Sequence, residues 1–305
     1  MNRGFLTVIA VVVVAGVGAG WMFYSPVKAH PECGALCTPE FWRADPDRAA
    51  VVEAIEEGAN AAGALPEGIT ALEIAAWEAS DLGAFDEVAS QYLAYHGNRF
   101  PPSILRDAVV NSGGLSTEIF MSLIDAGADP AETVGPQGEL LMFTVVSKGK
   151  TPMTILETLV EKEGMSLDVA NADGLPLASA AAQFSSEEAF KYLVDKGLDL
   201  TSTNPNTGDA PLHFAAEGTQ YADRLKLIAE LGADVTAVNN QGRTVLHVLA
   251  DNKRQLRQRG TVEAMLELGA DPCVRDVDQK SAIDVWTGKQ DDGYAALRAA
   301  AGSCG

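Results

Sequence analysis

The chain of 305 residues is short of positive charge. Lysine and arginine together number 22, against 42 aspartate and glutamate residues, so the formal net charge at pH 7 is −20. An excess of acid repels phosphate backbones and anionic lipid headgroups, whereas binding to DNA or RNA depends on Lys and Arg. The composition therefore argues against nucleic acid as a partner and favours a protein partner that is neutral or basic.

The chain also lacks the short motifs of common active sites. It has four histidines and contains no His-Glu-x-x-His, Gly-x-Ser-x-Gly or Gly-x-Gly-x-x-Gly sequence. Gly149-Lys150-Thr151 looks like the end of a phosphate-binding loop, but Thr144 stands where that loop requires glycine. We therefore expect no catalytic residue, no metal ion and no cofactor. An enzyme, hydrolytic or redox, that also carries the repeats described next is the less favoured alternative.

One phrase of the sequence returns at a fixed distance. Residues 208–216 (Gly-Asp-Ala-Pro-Leu-His-Phe-Ala-Ala) are echoed 34 residues later by residues 242–250 (Gly-Arg-Thr-Val-Leu-His-Val-Leu-Ala), and Leu-Gly-Ala-Asp follows each copy. Weaker copies extend the series at spacings of 33, 36, 36, 35, 34 and 37 residues. A period of this size predicts a solenoid of stacked repeats. The anchor residues of the series are Leu72, Leu105, Leu141, Leu177, Leu212, Leu246 and Ile283.

These residues resemble the ankyrin repeat family over roughly residues 45–300, and most clearly around His213 and His247. The resemblance implies an all-α solenoid of about seven helix-turn-helix repeats, and the N-terminal signal or anchor helix described below precedes it. It also implies that the two histidines are structural and bond to backbone across a turn. The implied activity is protein–protein interaction, through a concave groove and projecting hairpin tips.

The residues of one repeat fit this architecture physically. Small side chains such as Ala216 allow the first helix to approach its neighbours closely. Leu225, Ile228 and Leu231 recur at helical spacing and are expected to fill the core. Gly232 follows them and suits a left-handed C-terminal cap.

The resemblance also indicates where a partner would bind. Ankyrin arrays use hairpin tips and the exposed end of each inner helix, which in this chain lies five and six residues after an anchor. Trp77 is either a binding hot spot or a core residue near the N-terminal cap, and the sequence leaves both open. The predicted binding positions are Trp77, Glu78, Val110, Asn111, Ser147, Gln183, Glu217, Asp251 and Asn252, with Asn239 and Asn240 at a tip.

The first 29 residues predict an export signal or a membrane anchor. Arg3 precedes the stretch Phe5–Phe23, which has no charged residue, and Val27-Lys28-Ala29 offers small residues for cleavage before His30. Left uncleaved, a stretch of this length is nearly enough to span a bilayer. We therefore expect an exported bacterial protein, either periplasmic or held in the inner membrane through residues 5–23 with its repeats facing the periplasm. A secreted effector or inhibitor is the alternative.

Four cysteines flank the repeats and support export. Cys33 and Cys37 precede them, and Cys273 and Cys304 follow them. Three pairings are possible, of which proximity along the chain favours Cys33–Cys37 and Cys273–Cys304. Unpaired thiols, or a redox or metal centre at the first pair, stay open as alternatives.

The chain thus divides into a signal or anchor at residues 1–29, a cysteine-containing cap or linker at residues 30–44, and repeats with their C-terminal cap at residues 45–305. Lys253–Arg259 places four positive charges in seven residues, between the two helices of the Leu246 repeat. This basic segment is either a docking point for an acidic partner or membrane surface, or a solvated loop. The sequence does not decide its role.

Overall fold

The computed structural model describes residues 33–111, 114–131, 140–149, 151–218, 222–251, 260–287 and 290–304. All regular elements of these residues are helical, and strand pairing is limited to three isolated bridges. No helix among them is long and apolar enough to cross a membrane. The predicted signal or anchor at residues 1–29, the predicted binding residue Asn252 and the basic segment Lys253–Arg259 lie outside the described residues.

The chain forms two compact units that divide between residues 136 and 137. In the first unit, a short 3₁₀ turn at Gly34–Cys37 precedes the α-helices. These are α1 (Pro39–Arg43), α2 (Arg48–Glu56), α3 (Ala71–Glu78), α4 (Leu82–His96), α5 (Ile104–Val109) and α6 (Ser116–Asp125).

The second unit continues the same alternation of short helices. A π-helical segment at Thr158–Lys162 directly extends the helix Met153–Glu157, termed α8. The helices are α7 (Leu141–Ser147), α8 (Met153–Glu157), α9 (Leu177–Phe184), α10 (Glu187–Asp195), α11 (Pro211–Gly218), α12 (Ala222–Glu230), α13 (Val245–Asp251), α14 (Thr261–Glu267) and α15 (Asp292–Ala301).

Six of the seven anchors lie at the start of a helix, termed an inner helix, and the outer helix of the same repeat follows it. The inner helices are α3, α5, α7, α9, α11 and α13. The seventh anchor, Ile283, lies instead in a single turn over residues 281–285. The Asp284 carboxylate closes this turn by accepting hydrogen bonds from the Ser281 amide at 2.9 Å and hydroxyl at 2.8 Å. The last repeat is therefore a turn followed by α15, and the prediction of about seven repeats is confirmed with this shortening.

Small residues let neighbouring inner helices pack closely. Ala181 and Ala182 of α9 and Ala215 and Ala216 of α11 are all fully buried. A Cβ added to Gly218 would lie 2.2 Å from the side-chain nitrogen of Gln183, so little space separates the ends of these two helices. The predicted role of small residues in this contact is confirmed.

The outer helices supply larger apolar side chains and end as predicted. Leu225 and Ile228 of α12 are fully buried, whereas Leu231 lies just beyond the helix end and is half-buried. Gly232 follows with a φ of 113°, which is the left-handed region that glycine adopts without steric cost. The Ala233 amide then donates back to the Ile228 carbonyl at 3.2 Å, as in a Schellman cap.

The four cysteines are brought together in two pairs. Cys33 pairs with Cys37 at a Cα–Cα distance of 5.7 Å, and Cys273 pairs with Cys304 at 5.4 Å. These are the pairs that proximity along the chain favours. The second pair joins the segment after α14 to the end of α15, and so ties the last helix to the repeat before it.

Candidate partner-binding surface

The candidate surface of each unit consists of the C-terminal ends of the inner helices and the tips of the hairpins that precede them. Three of these hairpins are marked by bridges, between Ala64 and Thr70, Ala170 and Pro176, and Arg275 and Ser281. The first bridge belongs to the first unit and the other two belong to the second. Each unit therefore has a surface of its own, built from the same kinds of element.

His213 and His247 hold one repeat to the next in the second unit. Nδ1 of His213 accepts from the Ala210 amide at 3.2 Å, and its Nε2 donates to the Arg243 carbonyl at 2.9 Å. His247 repeats the arrangement, accepting from the Thr244 amide at 3.1 Å and donating to the Lys280 carbonyl at 3.1 Å. In both imidazoles Nδ1 therefore serves as the acceptor and Nε2 as the donor, and the predicted structural role is confirmed.

In the first unit, two predicted binding residues are engaged by the scaffold itself. Trp77, at the end of α3, is half-buried and its side chain hydrogen-bonds to the carboxylate of Asp107. Asn111 donates from Nδ2 to the carbonyls of Ala76 at 2.8 Å and Ala79 at 3.2 Å, and its Oδ1 accepts from the Leu115 amide at 3.0 Å. These side chains position the end of α3 and the start of α6, and their contact with a partner stays a prediction.

The other predicted positions differ in how far they reach into solvent. In the first unit, Glu78 is exposed and Val110 is half-buried. In the second unit, Glu217 is exposed, whereas Ser147 and Gln183 are half-buried at the ends of their helices. Glu78 and Glu217 are therefore the most accessible of the predicted inner-helix residues that the structure describes.

Asp251, at the end of α13, is not a free carboxylate. It forms an ion pair with Arg243, whose Nη2 lies 3.0 Å from Asp251 Oδ2. The same Nη2 also donates to the His247 carbonyl at 3.1 Å. Arg243 therefore neutralises Asp251 and at the same time caps the last turn of its helix.

Hydrogen-bond donors of the following repeat, two side chains and one backbone amide, cap the ends of three inner helices, and only Asn111 of these was expected on the surface. Arg224 donates to the carbonyls of Ala181 at 2.8 Å and Ala182 at 3.1 Å at the end of α9. The Thr287 amide donates to the Ala250 carbonyl at 2.9 Å at the end of α13. Asn111 does the same for α3. The sequence offers little to predict this capping role, because Arg224 is an ordinary arginine in the first turn of an outer helix.

The tips of three successive hairpins in the second unit are joined in a ladder of hydrogen bonds. Asn206 donates from Nδ2 to the Asp173 carbonyl at 2.9 Å, and Asn240 donates from Nδ2 to the Asn206 carbonyl at 3.2 Å. The predicted tip residue Asn239 folds its own turn, because its Oδ1 accepts from the amides of Gln241 and Arg243, and its Nδ2 donates to Oδ1 of Asp209 at 2.7 Å. Asn240 is exposed and Asn239 is half-buried.

The inner helices of the second unit carry little charge. Of the residues in α7, α9, α11 and α13, Glu217 and Asp251 are the acidic ones, and none of the residues in these helices is Lys or Arg. Acids lie on the outer helices, for example Glu187 and Glu188 of α10, and on the hairpins, for example Asp173, Asp209 and Asp276. The surface at the inner-helix ends is therefore far less acidic than the net charge of the chain suggests.

Within the described part of the chain, no three His, Cys, Asp or Glu side chains are grouped so that they could hold a metal ion. His30, which lies close in sequence to the first cysteine pair and would be a further ligand for a metal centre there, lies outside that part. The hydrogen-bonded helix ends and tips suit contact with another macromolecule.

Comparison with known proteins agrees with this arrangement. Residues 182–276 match the description "Ankyrin repeats (3 copies)". The chain is 26% identical over 158 residues to the nuclear factor NF-kappa-B p105 subunit of Gallus gallus, covering 52% of this chain and 16% of that protein. It is 25% identical over 189 residues to the B-cell lymphoma 3 protein homolog of Mus musculus, covering 59% of this chain and 40% of that protein.

The human NF-kappa-B inhibitor zeta is 28% identical over 99 residues, which cover 32% of this chain and 14% of that protein. The chain thus spans less than half of the length of these curated relatives. Among solved structures, the ankyrin repeat domain of Bcl-3 superposes with a TM-score of 0.57 at 22% identity, covering 76% of this chain and 99% of that one. Residues 182–276 are therefore ankyrin repeats, and the chain has the ankyrin-repeat fold.

Proposed function

We propose that the chain is a protein-interaction module that works outside the cytoplasm, where it binds a partner protein through its inner-helix ends and hairpin tips. The observation that carries the proposal is the alignment of short helix ends and tips within each unit, held by hydrogen bonds between successive repeats. Such a surface is rigid and extended, so it can contact a partner over several repeats at once.

The chemistry of the surface favours recognition by shape and hydrogen bonding over recognition by charge. Asp251 is paired with Arg243, and the inner helices of the second unit otherwise carry one acid, Glu217. The net charge of −20 favours a basic partner when the sequence is taken alone. The inner helices of the second unit carry few of its acids, so we propose a partner that need not be basic where it meets them.

The proposed location rests on the apolar segment at residues 5–23 and on the cysteines. Two bonded pairs at the ends of the repeats suit an oxidising compartment such as the periplasm. We propose that residues 1–29 direct the repeats there, as a cleaved signal or as an anchor in the inner membrane. No catalytic step is proposed.

Capture of partners from a periplasmic extract by the immobilised full chain tests the surface. Glu217→Arg places a long cation on an exposed inner-helix end, and we expect it to weaken capture at least about tenfold, since 1.4 kcal/mol of lost binding has that effect. Glu188→Arg is the matched control, because it makes the same substitution at an exposed position of the outer helix α10.

Equal capture by both variants and the wild type would place the binding site elsewhere. Loss with Glu188→Arg alone would place it on the outer helices. Repeating the capture at high salt separates recognition by charge from recognition by shape and hydrogen bonding. At about 1 M salt, the interaction between exposed charges is largely screened beyond roughly 3 Å. Capture that persists supports binding by shape and hydrogen bonds.

A further inference from the structure

A charged side chain is buried in the first unit where the other repeats place uncharged residues. Asp107 lies two residues after its anchor, on α5, and is fully buried. The equivalent residues of other repeats include Ile74, Phe214 and Val248. A buried carboxylate is costly unless its oxygens are paired, so its neighbours decide which protonation state it adopts.

The two carboxylate oxygens of Asp107 have unequal surroundings. Oδ1 accepts from Nη2 of Arg106 at 2.8 Å and from its Nε at 3.2 Å. The side chain of Trp77 on α3 also hydrogen-bonds to this carboxylate. Oδ2 is buried and has no hydrogen-bond partner among the described residues. The carboxylate is thus paired on one oxygen and left uncompensated on the other.

The remaining charged groups around Asp107 do not supply the missing partner. Glu73, on α3, adds a second negative charge, and is itself held by the hydroxyls of Thr70 and Ser103. The acids of α6, Glu118 and Asp125, are exposed. Arg106 therefore supplies the positive charge that Asp107 needs in its ionised form, and part of the Arg106 side chain is still in contact with solvent.

These contacts act on the carboxyl in opposite directions. Burial raises the pKa of Asp107 above its usual range, and the charge of Glu73 raises it further, while Arg106 and Trp77 lower the pKa. The net direction is upward. The neutral acid therefore forms at a higher pH than it does for an exposed aspartate.

We propose that Asp107, Arg106 and Trp77 form an acid-sensitive switch in the first unit. Protonation of Asp107 ends its ion pair with Arg106, and the carboxyl to which Trp77 is coupled loses its charge. Acidification thereby changes the charge at the end of α3 and on α5, where the sequence places binding residues. The switch does not depend on any partner, so it can be tested apart from the proposed function.

Tryptophan fluorescence of the full chain, titrated from about pH 8 to about pH 3, reports the switch through Trp77. Subtracting the trace of Trp77→Phe isolates that indole from the other tryptophans. We expect a transition with a midpoint above 3.8, the ordinary value for aspartate. Asp107→Asn should abolish the transition, and its emission at pH 8 should match that of the wild type at acid pH.

Two further variants keep the proposal open to refutation if Asp107→Asn does not fold. Arg106→Gln removes the cation that favours the ionised form, so it should move the midpoint to higher pH. Asp125→Asn, which neutralises an exposed acid of α6 in the same unit, should leave the midpoint unchanged. A Trp77 transition that survives in Asp107→Asn, or a midpoint that Arg106→Gln does not move, would overturn the proposal.

Discussion

Replacing His247 by alanine tests whether the histidine of the repeat holds successive repeats together. His247 is fully buried, and its ring bonds to the Thr244 amide, the Thr244 hydroxyl at 2.9 Å and the Lys280 carbonyl. In the alanine variant the buried Thr244 amide is left without its acceptor. The hairpin that contains Lys280 loses its tie to α13.

The expected loss follows from these contacts. An orphaned buried amide costs about 1–3 kcal/mol, and the lost bond to Lys280, which water can partly replace, costs about 1 kcal/mol more. Truncating the buried ring also leaves a cavity, whose cost adds to both. We therefore expect the free energy of unfolding to fall by about 3 kcal/mol in total.

Urea unfolding followed by circular dichroism measures this loss through the shift in midpoint at constant slope. His96→Ala is the control, because His96 is exposed and stacks on Tyr92 at a ring separation of 4.2 Å. We expect the control to lose less than about 1 kcal/mol. A loss for His247→Ala that is no larger than for His96→Ala would refute the structural role.

The same histidine makes stability depend on pH with a definite sign. Burial lowers the pKa of His247 below its ordinary value of 6.5. The unfolded chain therefore binds a proton more readily than the native chain, so the contribution of His247 is complete above pH 6.5 and declines as pH falls through the native pKa. The difference in unfolding free energy between wild type and His247→Ala should shrink on acidification, and a difference that grows would contradict this sign.

Three further outcomes are expected. In non-reducing buffer, Cys304→Ser should lower the free energy of unfolding by about 3–4 kcal/mol, the value for opening a loop of this length, and an unchanged urea midpoint would mean that the thiols are unpaired. Gly208→Ala should cost about 1–3 kcal/mol more than Gly232→Ala, since both glycines have positive φ but only the Cβ at Gly208 would meet the Asn240 amide, at 2.6 Å; equal thermal midpoints would argue against the close approach. Mass spectrometry of the natural protein should find an N-terminus at His30 if the signal is cleaved, and a cytoplasmic protein with residues 1–29 intact would contradict export.

The period of the repeats was enough to predict the inner helices. An anchor leucine, a following alanine and a later glycine each meet a local steric demand, so they recur whenever the same helix pair is built. Leu212, Ala216 and Gly232 show this within one repeat. The last repeat differs from the prediction because Ser281 and Asp284 close a single turn in place of an inner helix. A single aspartate at this position of the sequence was not enough to predict that turn.

The binding surface was harder to predict, because the sequence pattern gives positions without giving contacts. Asn111 and Trp77 occupy the expected places, but their hydrogen bonds join residues that lie 35 and 30 positions apart. Arg224 reaches α9 from 43 positions away. At the position of Asp107, two residues after the anchor, every other repeat carries an uncharged residue, and this was the one signal of this kind that the sequence offered.

The capping of one repeat by hydrogen-bond donors of the next limits how this protein can change in length. Asn111, Arg224 and Thr287 each satisfy carbonyls that belong to the preceding repeat. Excising or duplicating a repeat would bring together a helix end and a neighbour that were not matched to each other. A whole repeat should therefore be gained or lost only where the new neighbour carries a hydrogen-bond donor that reaches the same carbonyls. The stability of the fold thus depends on the order of the repeats.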